Sequence, residues 1–271
     1  MEIRSRVARR AGRAFLLVAF LAMLGPRPAA FAKRKKAPPP PPDVSDHVRE
    51  VAQKLYGMAL DDAEPITREI EKAVLSDLDA WAADRAPTDV EMRRELERVF
   101  SKLHYPLIGE PVVLAAAWKS RTLLCAGYTL GWTETNKVNV LAMFDSAGGK
   151  THRVTVTNFV PHTDLHFKAL PAAGSGDFRF MTYGNRLGKS QVRLTAILYD
   201  YDGQTLKKLW EVEDAYDGKI DITPTTVSLR YLKESEYIEA QTYRRKPPRY
   251  ESIYKVTPEG LTLTADREIP F

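Results

Sequence analysis

A single cysteine, Cys125, stands in a chain of 271 residues, which excludes an intramolecular disulfide framework as the source of stability. It lies in the apolar run LLCAGY, where cysteine behaves as a small buried hydrophobe, too far from the N-terminus to be a lipid-modified first residue. The apolar segment Ala14–Gly25 falls well short of the about 20 residues that a spanning helix needs, so no lasting membrane anchor is expected. A broad basic surface is lacking too, despite a formal charge of +5. Residues 1–36 hold ten Lys or Arg and one acid, leaving 30 basic against 34 acidic residues from Ala37 onward, a balance of −4. That argues against a nucleic-acid partner.

Signatures of nucleotide chemistry are incomplete. The stretch YGNRLGKS (183–190) ends like a phosphate-binding loop, but that loop requires Gly-x-x-x-x-Gly-Lys-Ser between a strand and a helix. Its first glycine would fall on Tyr183, and Gly184 leaves the loop one residue short. In the following QVRLTAILY, Val192, Leu194, Ala196 and Leu198 alternate at strand period. Lys189 is therefore expected in a connection between two strands, facing solvent. No Gly-x-Ser-x-Gly elbow occurs, and Ser175 belongs to a glycine-rich loop. Asp200, Asp202, Asp214 and Asp217 lack the alternating spacing and closing glutamate of a helix-loop-helix calcium site. No catalytic, cofactor-binding or metal residue is assigned, and no cofactor is expected. One alternative is carried forward: His162, Asp164 and His166 would share one face of a strand, and two imidazoles with a carboxylate suit zinc or iron in a metal-dependent hydrolase. No fourth ligand is evident, and the nearby Pro161 and Pro171 favour a loop or edge with solvated polar side chains.

What is present begins with a leader pattern over 1–32: Arg4, Arg6, Arg9, Arg10 and Arg13, then the apolar segment, then the small-x-small site Ala30-Phe31-Ala32. Cleavage and export to a periplasmic or extracellular compartment are the expectation. Residues 33–42 form a linker, the basic run Lys33–Lys36 followed by the extended spacer Pro38–Pro42. Residues 43–105 form a helical segment of net charge −6. Val44, Val48, Val51, Leu55 and Met58 make one apolar stripe, and Ile66, Ile70, Val74, Leu78 and Trp81 a second, on a helix expected to start at Pro65. Met92, Leu96, Val99, Phe100 and Leu103 make a third, behind a Thr88/Glu91 capping box.

Residues 106–271 read as an antiparallel β domain, with strands over 112–118, 122–129, 137–144, 152–156, 178–183, 191–199, 206–212, 226–231, 237–243 and 250–256. Gly148–Gly149, Asp202–Gly203 and Asp217–Gly218 suit hairpin turns. Gly127-Tyr-Thr-Leu-Gly131 followed by Val138–Asp145 resembles Gly184-Asn-Arg-Leu-Gly188 followed by Val192–Asp200, with a weaker third copy over 227–260. Such a period suits propeller-like blades, an open meander or a sandwich. The basic segment Tyr243–Tyr250 is expected to be an exposed, proline-stiffened hairpin loop. The reading is an α+β chain, N-terminal helices followed by a β domain of repeated hairpins. Export, spacer and missing active-site signatures make it a non-catalytic binding or scaffold module of a bacterial-type cell envelope, with an envelope protein or another, unidentified partner.

Overall fold

The structure, a computed structural model, describes residues 43–270 except 104, 108, 134–136, 160–164, 173–175 and 188–191. The leader, basic run and proline spacer lie outside the described residues. Among the described residues no helix is long and apolar enough to cross a membrane.

The chain enters through α1 (Val44–Ala52), whose N-terminus is capped by Asp43 accepting from the Ser45 amide at 3.2 Å. A single 3-10 turn, Gln53–Leu55, extends it, and Val48, Val51 and Leu55 are buried as one stripe. Helix α2 (Leu60–Ala82) begins five residues before the expected start, with Pro65 inside it. Proline removes one amide donor there. Asp61 and Asp62 favour the positive helix end, and fully buried Ala63 anchors the first turn. Helix α3 (Asp89–Phe100) opens on the expected capping box: Glu91 accepts from the Thr88 amide at 2.8 Å, and the Glu91 amide donates to the Thr88 hydroxyl at 3.2 Å.

Eleven strands follow: β1 (Val112–Trp118), β2 (Arg121–Gly131), β3 (Lys137–Ala147), β4 (Lys150–Phe159), β5 (His166–Leu170), β6 (Phe178–Leu187), β7 (Val192–Tyr201), β8 (Leu206–Ile222), β9 (Thr226–Leu232), β10 (Arg249–Thr257) and β11 (Gly260–Ile269). They form two antiparallel meanders in chain order, a four-stranded sheet β1–β4 and a seven-stranded sheet β5–β11. Neither sheet closes on itself among the described residues.

Strands β2 and β3 explain the layering. Their central residues are buried without alternation, the mark of a strand covered on both faces. Leu124, Ala126, Tyr128, Leu130, Val140 and Ala142 pack with the three helices. Leu123, Cys125, Leu141 and Met143 point the other way, onto Phe178, Phe180, Ile197 and Tyr199 of the second sheet. The four-stranded sheet is thus a middle layer between helices and seven-stranded sheet. Gly127 sits where β5 crosses it: a Cβ there would lie 2.6 Å from Leu165 and 2.9 Å from Phe167. Burial pushes the Cys125 thiol up to about 12, so it is expected to resist a thiol reagent at pH 8 until denaturant opens the core.

The seven-stranded sheet also coils on itself. Leu170, Met181 and Leu198 of β5–β7, on the face turned away from the middle layer, pack with Val227, Tyr254, Val256 and Leu261 of β9–β11. The long strand β8 makes the bend. Its register shifts between Tyr216 and Lys219, Asp217 takes a positive φ of 43°, and a Cβ on Gly218 would lie 2.6 Å from Leu194. Asp217–Gly218 is therefore a bulge inside a continuous strand, not the hairpin turn expected, because bulges and turns need the same residue types. Gly148–Gly149 and Asp202–Gly203 do lie at hairpin turns, between β3 and β4 and between β7 and β8.

Of residues 237–243, expected as a strand, 237–242 belong to helix α4 (Glu234–Thr242) and Tyr243 caps it. Glu, Ala and Gln favour helix there, and the Tyr216 and Tyr250 hydroxyls donate to Glu234 and Glu236 in its first turn. Consequently 243–250 joins a helix to a strand instead of closing a hairpin, with Arg245 paired to Glu239 at 2.7 Å and Arg249 paired to Asp217. Strands β5 and β11 and the second half of β8 had no clear signal: β5 is five residues of mixed polarity, and β8 is interrupted by Gly218.

One ion pair fastens the coil. Arg179 on β6 is fully buried. Its guanidinium donates to both Asp200 carboxylate oxygens, at 3.1 and 2.8 Å, to Pro258 O at 2.6 Å and to Thr257 O. The turn between β10 and β11 is thereby tied to β6 and β7. Removing one partner of a buried pair costs about 3–5 kcal/mol, whereas an apolar replacement of both can be neutral. Urea unfolding should find Arg179→Met destabilised on that scale and Arg179→Met/Asp200→Leu largely restored.

Candidate functional site

The space between the sheets opens beside β4. Val156 packs toward the helices, so its neighbours Thr155 and Thr157 face the second sheet. Opposite them stand Ile197 and Tyr199 of β7 and Leu206 and Lys208 of β8, enclosing a cleft of about 420 Å³. That volume lies within the range of small-molecule sites, about 300–1,000 Å³. Helix α2 fixes the end of β4: Arg68 donates to the Asn158 side-chain oxygen at 2.7 Å, and the Asn158 amide donates to Glu71 at 3.2 Å.

Tyr199 forms the inner wall, 6% exposed and stacked on Phe180 at 5.4 Å. Burial raises its phenol above the ordinary range, against a hydrogen bond with Thr157 that lowers it. At neutral pH it is a protonated phenol. Lys208 and Glu211 pair at 2.6 Å at the mouth, both substantially exposed, so this pair contributes little to stability. The cleft offers hydroxyl and amide groups over an apolar floor, a combination that orients a ligand by hydrogen bonds.

A second, smaller hollow of about 290 Å³ lies at the β1–β2 and β7–β8 turns, around Trp118, Lys119, Arg121 and Gly203. Trp118 is fixed by donating its indole N–H to Gly176 O at 2.8 Å, and the Lys119 ammonium sits 4.2 Å from its ring centre. Arg121 reaches inward to the buried Asp145.

The residues singled out in the sequence do not converge here. His162, Asp164, Ser175 and Lys189 lie outside the described residues. His166 is exposed on β5, its ring stacked on Tyr183 at 5.2 Å. Among the described residues no group of three or more His, Cys, Asp or Glu could hold a metal. The residues flanking the Gly-Lys-Ser stretch are two antiparallel strands paired Leu187 to Val192. Three of the four aspartates weighed for calcium have other partners: Asp200 binds Arg179, Asp217 binds Arg249, and Asp202 caps its own turn.

Comparison with family models, characterised proteins and solved structures yields no match. Thr155, Thr157 and Tyr199 carry no linear signal, because Thr and Tyr read as ordinary strand formers and come together only when the sheets stack. Asp202 supplies a pH test beside the smaller hollow. Amides of Thr205 and Gln204 donate to its carboxylate at 2.8 and 2.9 Å and hold its pKa below 3.8. With a depressed folded pKa, its contribution is complete above the unfolded value and lost as pH falls toward the folded one. Asp202→Asn should flatten the decline of the thermal midpoint with acidification below pH 3.8 while changing little at neutral pH.

Proposed function

We propose that this chain is an exported, non-catalytic binding or scaffold module of a bacterial-type cell envelope, built on repeated hairpins, and that the cleft beside β4 is its ligand site. The observation that carries the reading is that cleft: Thr155 and Thr157 hydroxyls on one side, facing the Tyr199 hydroxyl and apolar Ile197 and Leu206 on the other. Binding needs no chemistry from it, only donors and acceptors whose positions are set by the strands. The leader pattern over 1–32 supports export, and the acidic balance beyond residue 36 supports a partner other than nucleic acid. The repeat is supported by two matching hairpins. Gly127 stands opposite Leu141 and Gly184 opposite Thr195, and each hairpin carries an Arg–Asp pair, Arg121 with Asp145 and Arg179 with Asp200.

Immobilised wild-type chain, offered an envelope extract, is expected to retain a component that a folded Thr157→Trp variant, with the cleft filled, does not. Tyr199→Phe should weaken retention by about 1 kcal/mol, roughly fivefold, with an unchanged circular dichroism spectrum. Equal retention by wild type and Thr157→Trp would dismiss the cleft as the site. Turnover of a small substrate with no stable capture would dismiss the non-catalytic reading.

A further inference from the structure

Open sheet edges present unpaired backbone groups and are ordinarily blunted by bulges, charges, proline or shortness. Three of the four edges here are blunted. Strand β4 has a register shift against Met143/Phe144, carries Lys150, His152 and Arg153, and donates its Thr151 amide to Ala83 O. Strand β5 is five residues long and contains Lys168. Strand β11 has a register shift that leaves Thr264 without an opposite residue, and it carries Asp266, Arg267 and Glu268 near its end.

Strand β1 has none of these devices. Its seven residues, VVLAAAW, contain no charge, proline or glycine, and they pair with β2 without a shift. No described strand pairs with its outer side. Leu114 and Ala116 belong to the same core as Leu123 and Cys125, yet they are only partly buried while those two are fully buried. No described backbone group hydrogen-bonds to that side of the strand, and Ala117 is exposed outright.

We propose that this edge pairs antiparallel with β1 of a second copy of the chain, joining two four-stranded sheets across a two-fold axis. Charge selects that occupant. Glu110 lies just before the strand and Lys119 and Arg121 just after it, all exposed, and neither Glu110 nor Lys119 has an ion-pair partner among the described residues. Antiparallel self-pairing brings each Glu110 to the partner's basic end, whereas parallel pairing would set like charge beside like. Only a register centred on Ala115 opposes all seven residues, with Val112 facing Trp118, Val113 facing Ala117 and Leu114 facing Ala116. Such a two-fold contact is self-complementary. The cleft beside β4, at the opposite edge of the same sheet, stays open in both copies.

Sedimentation of the purified chain should give twice the monomer mass, and Ala117→Lys, which puts a charge on the edge at an exposed position, should give the monomer with unchanged circular dichroism. Wild type that stays monomeric up to its solubility limit, or a folded Ala117→Lys variant that stays dimeric, overturns the proposal. Should that variant fail to fold, cross-linking decides. Under mild oxidation Ala115→Cys should form a disulfide-linked dimer and Ala117→Cys should not, because its counterpart lies four residues along the partner strand, about 13 Å away. Equal linkage of the two, or none, overturns the proposal; Cys125 is buried and does not contribute.

Discussion

The rest of the molecule depends on β2 and β3 being covered on both faces. A strand whose successive residues are all apolar cannot turn one face to water without exposing half of them, so it requires a layer on each side. Leu124 and Tyr128 bind the chain to its helices, while Leu123 and Cys125 bind it to the seven-stranded sheet. Neither cover is optional. The helices' apolar stripes likewise have no core without that sheet: Val74, Leu96 and Phe100 share one cluster with Ala126 and Val140.

The second sheet meets a related problem in another way. It bends at β8 and covers the face of β5–β7 turned away from the middle layer with its own β9–β11. The bend asks for a bulge at Asp217–Gly218, and its closure for a buried guanidinium at Arg179 that can satisfy a carboxylate and two turn carbonyls together. The proposed site follows from the same geometry. Two stacked sheets of unequal width cannot match at every border, and where β4 overlies β7 and β8 they part, leaving an open cleft lined by Thr155, Leu206 and the hydrogen-bonded Thr157 and Tyr199.

Much of the architecture is legible in the sequence where one element carries its own pattern. Thr88 and Glu91 announce a helix start because the cap is local, and the three apolar stripes mark buried faces because helical spacing is local. Residues 112–118 read as a strand with the bounds observed. Features that need two distant segments are not legible. Arg179 and Asp200 look like solvated strand residues until the coil buries them, and Thr155, Thr157 and Tyr199 look like strand formers until the sheets stack. Residues 234–242 misled for a physical reason: Tyr237, Ile238 and Tyr243 favour strand, but Glu, Ala and Gln between them favour helix, and anchoring by Tyr216 and Tyr250 decides the outcome.

The central claim is that one doubly covered sheet makes helices and both sheets interdependent, and native-state hydrogen exchange at low denaturant tests it most directly. Amides of Leu78 in α2, Leu96 in α3, Leu124 in β2, Ala142 in β3 and Ile197 in β7, all buried, should converge on one opening free energy equal to that of global unfolding. If the α2 and α3 amides open at a distinctly lower free energy while those of β2 and β3 remain protected, the helices are a dispensable cover and the account is contradicted.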